Sequence, residues 1–320
     1  MAGSTSVVVA AMIANGGIAV LKFVGFLLTG SPSMLAETYH SISDTGNQVL
    51  LLVGIRRSRR DASDRHPYGH GKAQFFYAFL VSVLLFGIAG WESLNHGISE
   101  VRAGGHDVEA GPAEFLGMTI DIQTPVEPFW IAVVILLGAI VFESYAFYKA
   151  RAELVRQIDK YGWSGYREAF SRTSDLSTLT AFTEDTVALI GLVVALVGLI
   201  ATRITENPIY DAAGAVVIGV LLMGFAVALA LENKRLILGE SIGADVEAEL
   251  QTVVETHDSV AHVDDFRTMF IGPGRVLVTL DVSFDPELVT GAIDDDIQEI
   301  ERDLKAADDR VKLVYIEPER

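Results

Sequence analysis

Six long apolar runs, separated by polar connections, occupy the first 231 residues of the chain. They cover residues 6–29, 34–55, 75–94, 128–148, 176–200 and 209–231. A helix needs about 20 apolar residues to cross a hydrocarbon core about 30 Å thick, and each run reaches that length. The pattern therefore predicts an α-helical membrane protein with six transmembrane helices.

The basic residues of the connections indicate how these helices are oriented. Lys and Arg are frequent after the second, fourth and sixth runs, beginning with Arg56-Arg57-Ser58-Arg59-Arg60. The connections after the first, third and fifth runs contain Arg102 and Arg203 as their basic residues. Because cytoplasmic loops carry the excess of Lys and Arg, we expect both termini in the cytosol. The expected location is the cell (plasma) membrane, which the chain crosses several times.

The hydrophobic pattern changes after residue 233. Helical periodicity at 244–256 and 293–306 alternates with strand-like stretches at 260–271, 276–284 and 310–316. The order α-β-β-α-β predicts a small layer of two helices on a three-stranded sheet. We therefore expect a six-helix transmembrane domain at 1–233 and a cytosolic, ferredoxin-like α+β domain at 234–320.

Composition supports this division and excludes several functions. Half of the 320 residues are hydrophobic and the net charge is −18, yet residues 234–320 alone hold 21 acidic and 9 basic residues, a balance of −12. An acidic surface of this kind argues against nucleic acid as a partner, and simple solvation or a salty cytoplasm explains it. The chain has no cysteine, which excludes disulfides and thiolate metal sites.

A polar face opens the second apolar run. Glu37, His40, Asp44 and Asn47 follow one another at intervals of three, four and three residues, so a helix places them on one side. Ionisable groups inside a membrane are costly and usually functional. Imidazole nitrogen and carboxylate oxygen are ligands for zinc, and also for manganese, iron, cobalt or nickel. The alternative is a hydrogen-bond network that holds helices together.

The fifth run carries two adjacent acids, Glu184 and Asp185. Their side chains point about 100° apart on a helix, so one can face His40 and Asp44 while the other meets a neighbouring helix. The residue one turn before Asp185 is Ala181, which cannot bind a metal. Glu184, Glu37 or a water molecule would then complete the coordination. The alternative is that the two acids are structural charge partners of Lys22.

The connection after the second run is a second candidate metal site. His66 and His70 flank a Pro-Tyr-Gly turn, and Asp64 lies close by in the sequence, so both rings can converge on one ion. Solvated surface histidines are the alternative. Lys72 at the end of this connection is expected to pair with an acid of the tail, for example Glu240.

Together these motifs resemble those of the cation diffusion facilitator family, and the resemblance covers essentially the whole chain. It rests on His40-xxx-Asp44, on His66-Pro67-Tyr68-Gly69-His70-Gly71-Lys72, on Asn207-Pro208-x-Tyr210-Asp211 and on the acidic α+β tail. Within that family, the residues from Glu37 to Gln48 and the triplet Glu184-Asp185-Thr186 are similar to the branch that contains the mitochondrial zinc transporter.

The resemblance implies a homodimer in the lipid bilayer that exchanges a divalent metal for protons by alternating access, with no prosthetic group. It implies transport ligands at His40, Asp44 and Asp185, whereas the position of a further ligand is Ala181. The family's cytosolic loop site corresponds to Asp64, His66 and His70. Some bacterial members carry metal sites in the tail, where this sequence has Asp264, Thr279, Tyr315 and Glu317, so we expect those sites to be largely absent.

The functional hypothesis is a zinc/proton antiporter that exports metal from the cytosol. His40, Asp44 and Asp185 would bind the transported ion, and Glu184 or Glu37 would assist. One alternative keeps the fold and transports manganese, iron or cobalt, and another is a membrane metal sensor or scaffold that moves no metal. An intramembrane metal-dependent hydrolase is disfavoured because the sequence lacks a His-Glu-x-x-His motif, so the protein is not expected to be an enzyme.

Overall fold

The computed structural model describes residues 2–102, 113–115, 118–120, 125–172 and 176–319. Two compact units make up the chain. The first contains residues 1–53, 77–169 and 177–231, and the second contains residues 54–76, 170–176 and 232–320. The helices are α1 (Ala2–Thr29), α2 (Pro32–Ser58), α3 (Ala73–Leu84), α4 (Trp91–Arg102), α5 (Pro128–Tyr161), α6 (Tyr166–Arg172), α7 (Leu176–Thr205), α8 (Ile209–Leu238), α9 (Ala244–Glu255) and α10 (Thr290–Ala307).

Among the described residues, four helices are long and apolar enough to cross a membrane by length and composition. They cover Ala73–Arg102, Pro128–Tyr161, Ala181–Thr205 and Ile209–Leu238, which confirms four of the six predicted spans and a multi-pass membrane protein. The shorter helix Asn15–Thr29 is also apolar. α2 is less apolar than these helices, because it carries the polar face and ends in basic residues. Crossing of the membrane by α1 and α2 therefore stays a prediction.

The span Ala73–Arg102 is not a uniform α-helix. A π-helical segment, Leu85–Gly90, joins α3 to α4. Glycines bring this helix close to α8, because a Cβ atom on Gly97 would lie 2.8 Å from the backbone nitrogen of Val216. The close approach of the two backbones leaves no room for a side chain there, so glycine is required for this packing.

The basic connection after the fourth apolar run, residues 149–175, is in large part a continuation of the preceding helix. α5 continues to Tyr161 and ends where Gly162 adopts a left-handed conformation, with φ of 66°. A left-handed glycine is a common helix end. The short helix α6 follows. The predicted loop at 102–127 contains an antiparallel pair, β1 (Ala113–Phe115) and β2 (Met118–Ile120), and its residues 103–112, 116–117 and 121–124 lie outside the described residues.

A buried carboxylate ties the α1–α2 turn to the start of α8. The hydroxyls of Ser31 and Ser33 both donate hydrogen bonds to the Asp211 carboxylate. The backbone amide of Asp211 donates to Oγ1 of Thr202 at 3.1 Å. Since its carboxylate accepts two hydroxyl donors, Asp211 is buried at 4% exposure without losing its hydrogen bonds.

The second unit contains a three-stranded sheet. Strands β3 (Val260–Gly272) and β4 (Arg275–Phe284) are antiparallel, and β5 (Val311–Glu319) lies parallel to β4 after the crossover through α10. Alternate residues of β4, from Val276 to Phe284, share one core with Leu250 of α9 and with Ile300 and Leu304 of α10. These elements confirm a small α+β domain after the membrane helices.

The connection after the second apolar run lies within residues 54–76, which belong to the same compact unit as residues 232–320. The hydrophobic pattern instead assigned this connection to the transmembrane domain. The physical reason is close backbone packing. A Cβ atom on Gly71 would clash with the Ile271 carbonyl oxygen, and Gly272 is also close. Phe75 is fully buried in the core of this unit. The boundary predicted between 233 and 234 is therefore simpler than the division in the structure, and it stays a prediction.

Candidate metal site

The polar face of α2 is buried as a whole. Glu37, His40, Asp44 and Asn47 are between 0% and 6% exposed. Their spacing places them on one side of an uninterrupted helix, and that side turns into the first unit. The α2 face predicted from the sequence is therefore an interior surface.

The side chains of His40 and Asp44 lie close together, one helical turn apart. Nε2 of His40 lies 3.5 Å from Oδ2 of Asp44. Neither ring nitrogen of His40, nor Oδ1 of Asp44, has a hydrogen-bond partner among the described residues. A buried polar atom without a partner costs about 1–3 kcal/mol. An imidazole nitrogen and a carboxylate oxygen with free lone pairs can serve as ligands for a metal cation.

α7 contributes Glu184 to this group. Nδ2 of Asn47 donates to Oε1 of Glu184 at 3.2 Å, and Glu184 interacts electrostatically with Asp44. Asp185 interacts electrostatically with Glu184 and with Glu143 of α5. Both α7 acids thus interact with Glu143, and the hydrogen bond from α2 is accepted by Glu184. Glu184, rather than Asp185, meets the α2 face.

Glu37 is engaged in an ion pair. Nζ of Lys22, on α1, lies 2.8 Å from Oε2 of Glu37, and both side chains are fully buried. The alternative that Glu184 and Asp185 are the charge partners of Lys22 is therefore wrong, because the lysine reaches across to α2 instead. Oε1 of Glu37 faces α7, where a Cβ atom on Gly191 would lie 2.6 Å away from it.

Glu143 also belongs to this group, although no sequence motif pointed to it. It is 8% exposed on α5 and interacts electrostatically with Lys22, Glu37 and Glu184. The one signal for it was a single acid inside the apolar run 128–148, which is costly in a membrane. Sequence spacing cannot relate that acid to α2, because the two lie about a hundred residues apart.

The acids and His40 share one region but do not form a complete metal cage. Among the residues that the structure describes, no group of three or more His, Asp or Glu side chains has a geometry that could hold a metal ion. The ligand set His40, Asp44, Asp185, Glu184 and Glu37 stays a prediction.

The second candidate site lies in the second unit. The rings of His66 and His70 are 4.2 Å apart between centroids, and Nδ1 of His70 is buried without a hydrogen-bond partner among described residues. Asp64 is exposed. The two histidine rings therefore lie against each other, but in the described part of the chain they and Asp64 do not form a three-ligand metal group, so a metal site here stays a prediction.

The prediction that Lys72 pairs with Glu240 is wrong. Its Nζ lies 3.5 Å from the carbonyl oxygen of Ile237 and 3.7 Å from the sulfur of Met269. Glu240 pairs instead with Arg235, at 3.1 Å between Oε2 and Nε. Lys72 thus contacts the carbonyl oxygen of Ile237 at the end of α8 and the thioether sulfur of Met269 on β3. The sequence pattern does not predict either contact.

At the tail positions where the sequence predicts that metal sites are largely absent, the side chains form ordinary sheet contacts. Thr279 lies opposite Tyr315 across β4 and β5. Asp264 accepts a hydrogen bond from the Ser283 hydroxyl at 2.7 Å. His257 lies 3.4 Å from Asp303, an arrangement of two groups rather than a set of metal ligands.

Comparison with known proteins places these features in a family. Residues 8–238 match the cation efflux transmembrane domain. The human protein named "Proton-coupled zinc antiporter SLC30A9, mitochondrial" is 31% identical over 288 residues, which are 90% of this chain and 47% of that protein. "Metal tolerance protein C4" of Arabidopsis thaliana is 26% identical over 84% of this chain and 54% of its own length. The chain spans about half the length of these relatives.

A shorter similarity joins the chain to "Magnetosome protein MamM" of Paramagnetospirillum magneticum, 38% identical over 78 residues, which are 24% of each chain.

The prediction that the protein lies in the plasma membrane is wrong. The relatives that cover nine tenths of the chain are named mitochondrial. The charges of the loops orient a helix bundle in whichever membrane it enters, so they could not identify that membrane.

The expectation that the chain is not an enzyme is confirmed, because the matched family is one of cation efflux and the relatives that cover nine tenths of the chain are named zinc antiporters. The predicted resemblance to the branch of the mitochondrial zinc transporter is confirmed as well, by 31% identity over 90% of the chain. A match over residues 8–238 of 320, together with this identity, settles the family. The chain belongs to the cation efflux transmembrane domain family, the cation diffusion facilitators.

Proposed function

We propose that the protein moves a divalent metal cation, zinc in the first instance, across a membrane in exchange for protons. The observation that carries this proposal is His40, which is buried beside Asp44 with both ring nitrogens free of hydrogen-bond partners from described residues. The relatives' names, which include a proton-coupled zinc antiporter, support the same function. Their mitochondrial names point to a mitochondrial membrane as its location.

His40 and Asp44 on α2 supply one half of the proposed site and α7 supplies the other. The contacts of Glu184 with Asp44 and Asn47 support Glu184, whereas the family resemblance implies Asp185. Water completes the coordination, or Glu37 does so where it leaves its ion pair with Lys22. Since these groups lie on two helices, a relative shift of α2 and α7 can gather the ligands around the ion or separate them. Such a shift is the element that alternating access requires.

Proton exchange follows from the ligand chemistry. A histidine binds metal only through a neutral nitrogen with a free lone pair, and a carboxylate binds in its ionised form. Metal entry therefore displaces protons from His40, Asp44 or the α7 acids, and metal release allows protons to return. The same groups can thus carry both fluxes, provided that they face one side of the membrane at a time.

The remaining architectural proposals follow the family. α1 and α2 complete six membrane spans, with residues 1–233 as the transport domain and 234–320 as a ferredoxin-like domain. The protein acts as a homodimer. Asp64, His66 and His70 form a secondary metal site in the loop, which the convergence of the two histidine rings supports.

The test is metal flux into proteoliposomes with an imposed pH gradient. We expect His40→Ala to lower zinc flux about a hundredfold or more, since even indirect contacts to a metal typically contribute 10–100-fold. His262→Ala is the matched control, because His262 is an exposed histidine on β3 and its loss should leave flux unchanged. Flux of the His40→Ala protein equal to that of the wild type would overturn the proposal.

A panel of divalent ions in the same assay identifies the metal. One imidazole among several carboxylates is a ligand set that manganese, iron or cobalt also accepts, so faster flux of one of these ions would identify it as the substrate. Metal binding by the purified protein without any flux would instead support the sensor or scaffold hypothesis.

A further inference from the structure

A fully buried lysine lies among the acids of the proposed site. Lys22 is 0% exposed, and its Nζ lies 2.8 Å from Oε2 of Glu37, which is also 0% exposed. Burial of both charges is costly even when they are paired, and an apolar residue at position 22 would pack in a helix bundle without that cost. The pair therefore calls for an explanation beyond stability.

The charge of Lys22 interacts with several groups of the proposed site. It interacts electrostatically with His40 and Asp44 on α2 and with Glu143 on α5. The acids in this region are Glu37, Asp44, Glu143, Glu184 and Asp185. Lys22 is thus a positive charge fixed within reach of the groups that a divalent cation would occupy.

The ion pair also determines what Glu37 can do. One carboxylate oxygen is held by Lys22, and the other lies against Gly191 of α7 without a hydrogen-bond partner among the described residues. A metal ion could bind Glu37 only by displacing the ammonium group or by sharing the carboxylate with it. Glu37 is therefore separated from His40 and Asp44 in function, although it lies on the same helix face.

We propose that Lys22 is a resident counter-cation that weakens metal binding at His40, Asp44 and the α7 acids and keeps Glu37 out of the ligand set. This inference rests on the proposed transport function. A fixed positive charge repels a divalent ion, and at an effective dielectric constant of about 20 the effect remains large over about 10 Å. A transport site must bind its ion and also let it leave, and Lys22 shifts that balance toward release.

The test compares three variants of the full-length protein in detergent, with Zn²⁺ titrated against a fluorescent chelator. Lys22→Met removes the repelling charge, so we expect zinc to bind about tenfold more tightly. Glu37→Gln leaves the lysine unneutralised, so we expect binding about tenfold weaker. The double variant restores the original net charge, so its affinity should be within about threefold of the wild type.

These opposite shifts distinguish the inference from its rivals. If Glu37 is a metal ligand, both Glu37→Gln and the double variant lose affinity, which overturns the proposal. If the pair is only structural, the single variants melt at lower temperature with unchanged affinity, which overturns it as well. If Lys22→Met does not fold, the double variant must still bind about tenfold more tightly than Glu37→Gln. Lys312→Met, on the exposed part of β5, is the matched lysine control.

Flux measurements in proteoliposomes complete the test. At saturating zinc, we expect Lys22→Met to transport more slowly than the wild type, because tighter binding retards release. Absence of zinc binding and zinc flux in the wild type would overturn the proposed function itself. A wild type that transports zinc, combined with variants of unchanged affinity, would overturn only the role of Lys22.

Discussion

Acidic residues occupy two contrasting settings in this chain. The segment 234–320 holds 21 of them, all exposed or half-buried where the structure describes them, and several pair with a neighbour such as Lys305 with Glu301 or Arg310 with Asp308. The apolar helices hold fewer acids, and four of those that the structure describes are buried: Glu37, Asp44, Glu143 and Asp211. The first setting is a solvated surface, whereas the second places carboxylates where water cannot replace missing partners.

The difference shows that burial without a partner, rather than acidic density, marks the candidate site. An exposed ion pair contributes about 0–1 kcal/mol, so the many pairs of the tail carry little information. A buried oxygen without a partner costs about 1–3 kcal/mol, and Asp44 bears that cost beside the unpartnered ring of His40. The most acidic part of the chain is thus a less informative guide to function than two acids on α2.

The largest expected effect comes from neutralising one acid in each setting. Asp44→Asn should lower metal flux about a hundredfold or more, because it removes a proposed direct ligand. Asp295→Asn, on the exposed side of α10, should leave flux within about twofold, since an exposed charge is screened. Equal losses in the two variants, measured in proteoliposomes, would contradict the distinction between the settings.

The second comparison is between the adjacent acids of α7. Glu184→Gln should lower metal affinity about ten- to a hundredfold, because Glu184 contacts Asp44 and Asn47. Asp185→Asn should lower it less, since Asp185 faces Glu184 and Glu143 instead. Zinc titration of both purified variants gives the ranking. The opposite ranking would assign the direct contact to Asp185, as the family resemblance implies, and would require α7 to rotate on metal binding.

The smallest effect on metal is expected from a buried acid that has its partners. Asp211 accepts hydrogen bonds from Ser31 and Ser33, so we assign it to the structure of the bundle. Asp211→Asn should reduce stability by about 1–3 kcal/mol and leave zinc affinity unchanged. Thermal unfolding in detergent and a zinc titration measure the two quantities. A large loss of affinity with intact stability would place Asp211 in the metal pathway.

Much of the site was accessible from the sequence because each helix has a fixed period. The spacing of Glu37, His40, Asp44 and Asn47 on a 3.6-residue helix dictates a common face, and that face is buried as predicted. The adjacent acids of α7 were predicted to point in different directions, and Glu184 is the one that accepts a hydrogen bond from Asn47 of α2. Which of the two meets α2 depends on how α7 is rotated, and no local pattern encodes that rotation.

Other features depended on contacts between distant parts of the chain. Lys22 could pair with α2 or with α7, and only the packing of α1 selected Glu37. Glu143 joined the group from α5 without any motif. The connection at 54–76 entered the second unit because Gly71 lies against Ile271 and Gly272, a fit that depends on two backbones about 200 residues apart.

The sequence by itself determined the apolar spans, the α+β tail, the polar face of α2 and the family, because these depend on hydrophobic period, composition and local motifs. The tertiary structure alone decided the partners of each buried charge. Lys22 with Glu37, Glu184 with Asn47, and Asp211 with two serines are choices among several chemically possible pairs. Local propensity is the same for all of those pairs, and only the packing of the helices makes one of them close enough to form.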